Sequence, residues 1–470
     1  MSATATTEKK YLKWYQKLAY GSGDLASNCS YGLVSSFVLL YLTGTLGLDS
    51  AIIGSLMLAS KVLDGISDVI FGTLIDRTHS KLGKARPWML FGQVGVSLCL
   101  FLLFAIPAGS TTMQYIYFFI VYTALNAVFY TANGIAYSSL VALITKNNNE
   151  RVQLGSFRFM FAVVTNIFMG FAVTGMVEKF GGGAAGWRTT ALIFAIVGLV
   201  VNTISCLAVK ELPEEELSGN TSEAAEEGKA VAEEKKHGFA ETAKILVHNK
   251  YYLMILAIYI VYYIMSNLTT GAGVFCATYY WGDGSLLGQF SMMKMFPVII
   301  ALAIAPVLIK KTGSMQKVNF WGYAISSVLG IPMIYFAMQK NISMFLLFMF
   351  IKGIFAGTLS GSLNALIAEA SGYTTRTTGV HMDGMMYSCS SLGVKVGGGI
   401  GTAAVGWLLK LGGFVGTATV QSESAIRMIF NLYITFPFVI GIIITVLLAF
   451  LDVEKANKKW DAEHKKEAQA

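Results

Sequence analysis

Four polar side chains fall at helical spacing inside an otherwise apolar stretch: Lys61, Asp64, Ser67 and Asp68. Offsets of three and four residues place them on one face of a helix. Two carboxylates one turn apart in a segment apolar enough for a bilayer are costly, and acidic residues in such segments mark ion or proton pathways by default. The pair can supply oxygens to a hard monovalent cation, or share a proton between them. The alternative is a structural pair neutralised by Lys61. Lys61 itself reads either as a counter-ion to the site or as a side chain that reaches to an interface.

Other spans carry groups suited to a hydroxylated solute. Arg158 follows a polar loop, and Lys395 stands in the middle of the apolar, glycine-rich run 393–401. Both donate hydrogen bonds of the kind that hold sugar hydroxyls or a carboxylate. Asn28 and Tyr31 in the first span, Tyr130 and Asn133 in the fourth, and Ser390 and Ser391 in the eleventh supply the aromatic faces and polar groups that such a site needs. The alternative for any one tyrosine is packing. The five histidines do not pair with cysteine or one another at metal-ligand spacing, so no metal and no cofactor is expected beyond a coupling ion. The glycine run has no following Gly-Lys-Ser/Thr and is not a phosphate loop, and no nucleophile–base set stands out, so an enzyme is not expected.

These residues have to be held by membrane helices. Of 470 residues, 54% are hydrophobic and only 13% charged, with a mean hydropathy of +0.59. A soluble chain carries about a quarter charged residues. Apolar runs of about 20 residues recur along the chain, and they divide it into twelve expected spans. Residues 1–209 hold the first six and 251–451 the second six. Between them, residues 210–250 are rich in Glu, Lys, Ala and Ser and read as a cytoplasmic linker, with a surface helix expected near Phe239–His248; residues 452–470 form a charged tail. Strict alternation is absent, which argues against a β-barrel. The expectation is therefore an all-α polytopic protein of the plasma membrane, monomeric, with lipid as its solvent. The net charge of +8 collects in short loops and tails rather than in a patch interleaved with aromatics, so it sets topology, with both termini cytoplasmic, and does not point to nucleic acid. The first 17 residues lack an apolar run with a cleavage site, so the first span is expected to serve as signal and anchor. The five cysteines lie far apart in apolar segments and read as small core residues.

Six spans, a linker and six spans suggest a duplication. The loop after the second span, DRTHSKLGKARPW, is echoed after the eighth by KKTGSMQKVNFWG. Repeats of this kind build transporters whose substrate site lies near the bilayer midplane.

Motifs along nearly the whole chain resemble the glycoside–pentoside–hexuronide cation symporters, which include the melibiose permeases and glucuronide carriers. The resemblance rests on Tyr20–Asp24 opening span 1, on Leu63–Asp68, Gly72, Asp76–Thr78, Gly83–Lys84 and Arg86–Trp88 around span 2, and on Tyr130–Thr131 and Ser139–Leu140 in span 4. It continues through Arg158, Tyr373, Gly379, Tyr387–Ser388, Lys395 and Gly397. It implies the major facilitator fold of two six-helix bundles and coupled uptake of a sugar or glycoside with H+ or Na+ by alternating access. It also implies that Asp64, Ser67, Asp68 and Thr131 bind the cation, that Arg158 faces the sugar, and that Asp76, Arg77, Lys84 and Arg86 form a cytoplasmic latch.

The chain departs from the melibiose permeases where Asn28 and Gly134 replace aspartates and Ser138 and Ser360 replace tryptophans. A less acidic pocket fits a glucuronide or another β-glycoside better than melibiose. Ser67 stands where an amide is usual, which leaves proton and sodium both open. The rival readings are a carrier of a lipid or drug, and a sugar-sensing membrane receptor, for which no soluble signalling domain is visible.

Overall fold

The computed structural model describes residues 9–213, 216, 245–379, 383–418 and 420–467. Among these every regular element is helical. Eleven helices are long and apolar enough to cross a bilayer: α1 (Trp14–Thr45), α3 (Arg86–Leu103), α4 (Thr111–Ile144), α5 (Asn148–Lys179), α6 (Gly183–Leu207), α7 (Lys250–Trp281), α8 (Leu286–Thr312), α9 (Met315–Met338), α10 (Ile342–Thr378), α11 (Met385–Leu411) and α12 (residues 423–450, continued by the tail). The twelfth of spanning length is α2 (Ser50–Asp76), whose 27 residues carry Lys61, Asp64 and Asp68 and extend about 40 Å. A last helix, α13 (Val453–Glu467), is polar. Most of the 210–250 linker, including residues 239–244 of the expected surface helix, lies outside the described residues; 245–248 are helical.

Local chemistry sets the helix boundaries. Asn147, Asn249, Ser314, Asn341 and Ser422 each accept a hydrogen bond from the first turn of the helix that follows, the N-cap arrangement these residue types favour. Gly282, Gly313 and Gly379 close α7, α8 and α10 at positive φ, where an L side chain is disfavoured.

The described residues form two compact units, one within residues 1–48 and 59–236 and the other within 237–470 and 49–58. In the first, α3 packs against α4 and α6, and α1 against α5 and α6. Its core includes Tyr20, Met89, Tyr137, Leu140 and Leu154. In the second, α10 packs against α8 and α9, and α7 against α11 and α12. The segment Asp49–Leu58 belongs to this second unit, although the sequence halves part at the linker. There Ser50 Oγ donates to the Gly406 carbonyl at 2.9 Å and Asp49 pairs with Lys410 at 2.6 Å. Burial pushes the Asp49 carboxyl up, but the Lys410 ammonium and the Ile52 and Ala51 amides outweigh it and hold the group below the usual carboxylate range.

Helix contact in a bilayer depends on close packing, since lipid is as apolar as the side chains it would replace. The α7–α11 contact shows this. A Cβ added at Gly393 would meet Tyr259 Cβ at 2.4 Å, one at Gly397 the Ile260 carbonyl at 2.4 Å, and one at Gly401 the Ile264 carbonyl at 2.6 Å. Three glycines four residues apart thus let the two backbones touch. Facing outward, large apolar side chains such as Phe91, Val164, Phe168, Val328 and Ile331 are exposed, a surface suited to lipid and ill suited to water.

The loop echo has a structural counterpart inside each unit. Glu211, just after α6, accepts from the amides of Lys84, Ala85 and Arg86 at 2.7–3.1 Å, at the start of α3. Glu454, just after α12, accepts from the amides of Met315 and Gln316 at 2.8 and 3.0 Å and from Ser314 Oγ, at the start of α9. Each is a carboxylate placed on unsatisfied N–H groups at the positive end of a helix dipole.

Candidate functional site

The acidic face of α2 lies in the first unit. Asp64 is only 13% exposed, and its Oδ2 lies 3.6 Å from Lys61 Nζ one turn back. Its Oδ1 lies 2.7 Å from Thr131 Oγ1 of α4. Thr131 Oγ1 is also 2.9 Å from the Asn126 carbonyl, five residues earlier. That offset exists because α4 widens into a π-turn over Ala124–Tyr130; such turns are rare and favour functional positions. A hydroxyl has one hydrogen. Thr131 donates it either to Asp64 Oδ1 or to the Asn126 carbonyl, and both oxygens lie within hydrogen-bonding distance of its hydroxyl. Ser67 Oγ donates to the Asp64 carbonyl at 2.9 Å, and Asp68 is half-buried on the same helix. The Asn126 carbonyl was not visible in the sequence, because backbone oxygens carry no residue signature and a π-turn has no composition cue.

A second polar group forms between α1 and α5. Arg158 Nε meets Asp24 Oδ2 at 2.6 Å, and its guanidinium lies 4.2 Å from the centre of the Tyr137 ring. Tyr137 and Tyr20 exchange hydroxyl-to-carbonyl bonds. Asn28 Nδ2 donates to the Asp24 carbonyl at 2.7 Å and Asn28 Oδ1 accepts from Asn166 at 2.9 Å. Tyr31 and Tyr130 stack with centroids 6.0 Å apart. Asp24 and Asn166 join this group without having been singled out by spacing; Asp24 stood in the family-like opening of span 1, and Asn166 gave no signal beyond a lone amide in a span. Asn133, by contrast, is buried and donates to Gln93 Oε1 of α3 at 2.7 Å, so its amide nitrogen is engaged in helix packing.

Of the basic loop, Asp76 and Arg77 are exposed at the end of α2. Arg86 is buried and braces its own unit, with Nε donating to the Cys206 carbonyl at 3.2 Å, and the Lys84 amide is held by Glu211. Trp88 Nε1 donates to Thr78 Oγ1 at 2.7 Å and closes the loop.

In the second unit Lys395 sits in the π-turn Gly393–Gly397 of α11. Ser390 Oγ donates to the Tyr387 carbonyl at 2.8 Å, and Ser391 is exposed. Arg376 pairs with Asp461 at 3.1 Å and reaches Asn457 Oδ1 at 3.0 Å, while Asn457 donates to Glu369 at 2.8 Å. Among the described residues no group of three or more His, Cys, Asp or Glu could hold a metal ion, and all five cysteines are free and buried.

The family model described as "MFS/sugar transport protein" matches residues 19–455. The isoprimeverose transporter of Lactiplantibacillus pentosus is 27% identical over 97% of this chain and 92% of its own. An inner membrane symporter of Escherichia coli K12 is 25% identical over 90% of this chain and 88% of its own. Among solved structures, a D-xylose–proton symporter superposes with a TM-score of 0.65 at 13% identity, covering 94% of this chain and 98% of its own, which is a likeness of fold. With twelve helices of spanning length among the described residues and a match over almost its whole length, the chain belongs to the MFS/sugar transport protein family of major facilitator membrane carriers.

Proposed function

We propose that this carrier, a cation-coupled sugar symporter by its family and its relatives, binds its coupling cation at Asp64, Thr131 and the Asn126 carbonyl, with Asp68 and Ser67 completing the face. The observation that carries the reading is the meeting of a carboxylate, a hydroxyl and a π-turn carbonyl across α2 and α4. Oxygens of these three kinds suit a hard monovalent cation, and a carboxylate pair equally suits a proton. Lys61 limits the negative charge, so the site is neutralised by one monovalent cation rather than two.

In the first unit the sugar is held by Arg158, Asn28, Tyr31 and Tyr130; in the second, Lys395, Ser390 and Ser391 are separate candidates for hydroxyl contacts. Tyr31 and Tyr130 offer a stacked aromatic face. Arg158, already paired with Asp24, binds neutral hydroxyls through its remaining donors. Tyr130 and Thr131 are consecutive residues, so the aromatic face and the cation oxygens share one stretch of α4. Cation occupancy that settles Thr131 therefore settles Tyr130, which is the coupling required of a symporter. Binding alternates between the two sides of the membrane, with the exposed Asp76 and Arg77 contributing to closure on the cytoplasmic side.

The test is flux in vesicles containing the purified protein, with pH and sodium gradients set independently. A panel of neutral and acidic glycosides is expected to drive movement of one of the two cations. No sugar-dependent movement of either would refute the reading.

A further inference from the structure

The second unit holds a cavity of about 180 Å³ among α7, α8, α9, α10 and α12, and two lysines line it: Lys294 of α8 and Lys352 of α10. Among the described residues that line it there is no aspartate or glutamate. Among the described residues Lys294 Nζ reaches only two hydroxyls, Thr269 Oγ1 at 3.3 Å and Thr270 Oγ1 at 3.2 Å. Both hydroxyls give their own hydrogens to main-chain carbonyls of α7, so they present lone pairs and orient the ammonium. These contacts are long beside the ~2.8 Å of an ammonium on a carboxylate, and an ammonium has three donors. Lys352 takes no hydrogen bond or ion pair among the described residues, and both side chains are half-buried. Their helices meet closely at this level. A Cβ added at Gly353, next to Lys352, would touch Pro297 Cβ at 2.8 Å, and Pro297 is one turn beyond Lys294.

Two cations facing one cavity inside a bundle, without a protein carboxylate, are costly until an anion joins them. Elsewhere the chain pairs its embedded charges: Arg158 with Asp24 and Lys61 with Asp64. The cavity is not simply apolar, since Tyr262 donates to or accepts from Ser360 on its wall at 2.8 Å. It has space on the order of ten waters, enough for a small ring.

We propose that Lys294 and Lys352 form a binding site for the carboxylate of a polyhydroxylated acid, so that the second unit selects sugar acids over their neutral counterparts. This rests on the reading of the chain as a sugar carrier and adds the substrate class. The two ammonium groups take the carboxylate.

Binding of glucuronate, glucose and acetate to the purified full-length protein tests the site by calorimetry. Glucuronate is expected to bind at least tenfold tighter than glucose, and acetate far more weakly than glucuronate. Lys352→Gln and Lys294→Gln should each bring the glucuronate-to-glucose ratio close to one, while Lys352→Arg, which keeps the charge, should preserve a preference. The Arg variant is the control for a glutamine variant that fails to fold. A ratio near one in the unmodified protein, or a preference that survives Lys352→Gln, would overturn the proposal; acetate binding as tightly as glucuronate would also overturn it, by showing a bare anion site. Cation flux with neutral sugars and no acid preference sinks this site alone. An acid preference that requires Lys352, with no cation flux for any sugar, sinks the symport reading alone.

Discussion

Thr131→Val removes one oxygen from the proposed cation site and keeps the shape of the side chain. In the structure Thr131 Oγ1 lies 2.7 Å from Asp64 Oδ1 and 2.9 Å from the Asn126 carbonyl. A hydrogen bond or ligand contact to a charged group contributes about 1.5–3 kcal/mol, and each 1.4 kcal/mol is a factor of ten in affinity. The cation concentration that half-saturates sugar-driven transport should therefore rise roughly tenfold to a hundredfold. Thr131→Ser keeps the oxygen and should stay within a few-fold of the parent. The assay is initial uptake of a transported sugar in vesicles across a range of pH and sodium. The valine methyl replaces a hydroxyl that already packs at this spot, so the fold should survive, and an unchanged thermal midpoint would check that. Unaltered cation dependence in Thr131→Val would refute the assignment of Thr131 to the site.

Arg158→Ala should lower thermal stability by about 1–3 kcal/mol, because it leaves Asp24 partly buried without its 2.6 Å partner; Asp24→Asn added to it should restore much of the loss, as measured by detergent-solubilised unfolding. Gly397→Ala should cost about 1–3 kcal/mol, since its methyl would press on the Ile260 carbonyl at 2.4 Å, whereas Gly134→Ala, with nothing within 4 Å of the added carbon, should be close to neutral in the same unfolding assay. Glu211→Gln and Glu454→Gln should each destabilise by about 1 kcal/mol by weakening the charged caps on α3 and α9, and parallel hydrogen exchange should show the first turn of the affected helix opening sooner.

What the sequence disclosed follows from what leaves a residue signature. Apolar runs of spanning length announced the all-helical membrane fold, because the bilayer imposes both length and composition. Asp64 and Asp68 stood out because charge is rare in such runs. The glycine-rich run 393–401 stood out in the same way. Other features arise only from packing. Asp24 becomes a partner of Arg158 because α1 and α5 come together 134 residues apart, and Arg86 turns inward to the end of α6 through the Cys206 carbonyl. Glu211 and Glu454 look like ordinary charged residues beyond the end of a span, and their role depends on where another helix begins. The π-turns at Ala124–Tyr130 and Gly393–Gly397 arise from one extra residue fitted into a helix, which no local composition requires. Lys294 and Lys352 are charges inside spans, but that they face one cavity follows only from how their helices pack.

A symporter requires that cation binding at Asp64 and sugar binding be linked. Equilibrium binding of a transported sugar to the purified protein, titrated with and without the coupling cation, tests it most directly. Linkage requires each ligand to raise the affinity for the other by the same factor. Adding the cation should raise sugar affinity at least fivefold in the unmodified protein and leave it unchanged in Asp64→Asn. Sugar affinity that responds to the cation equally in both proteins would contradict it.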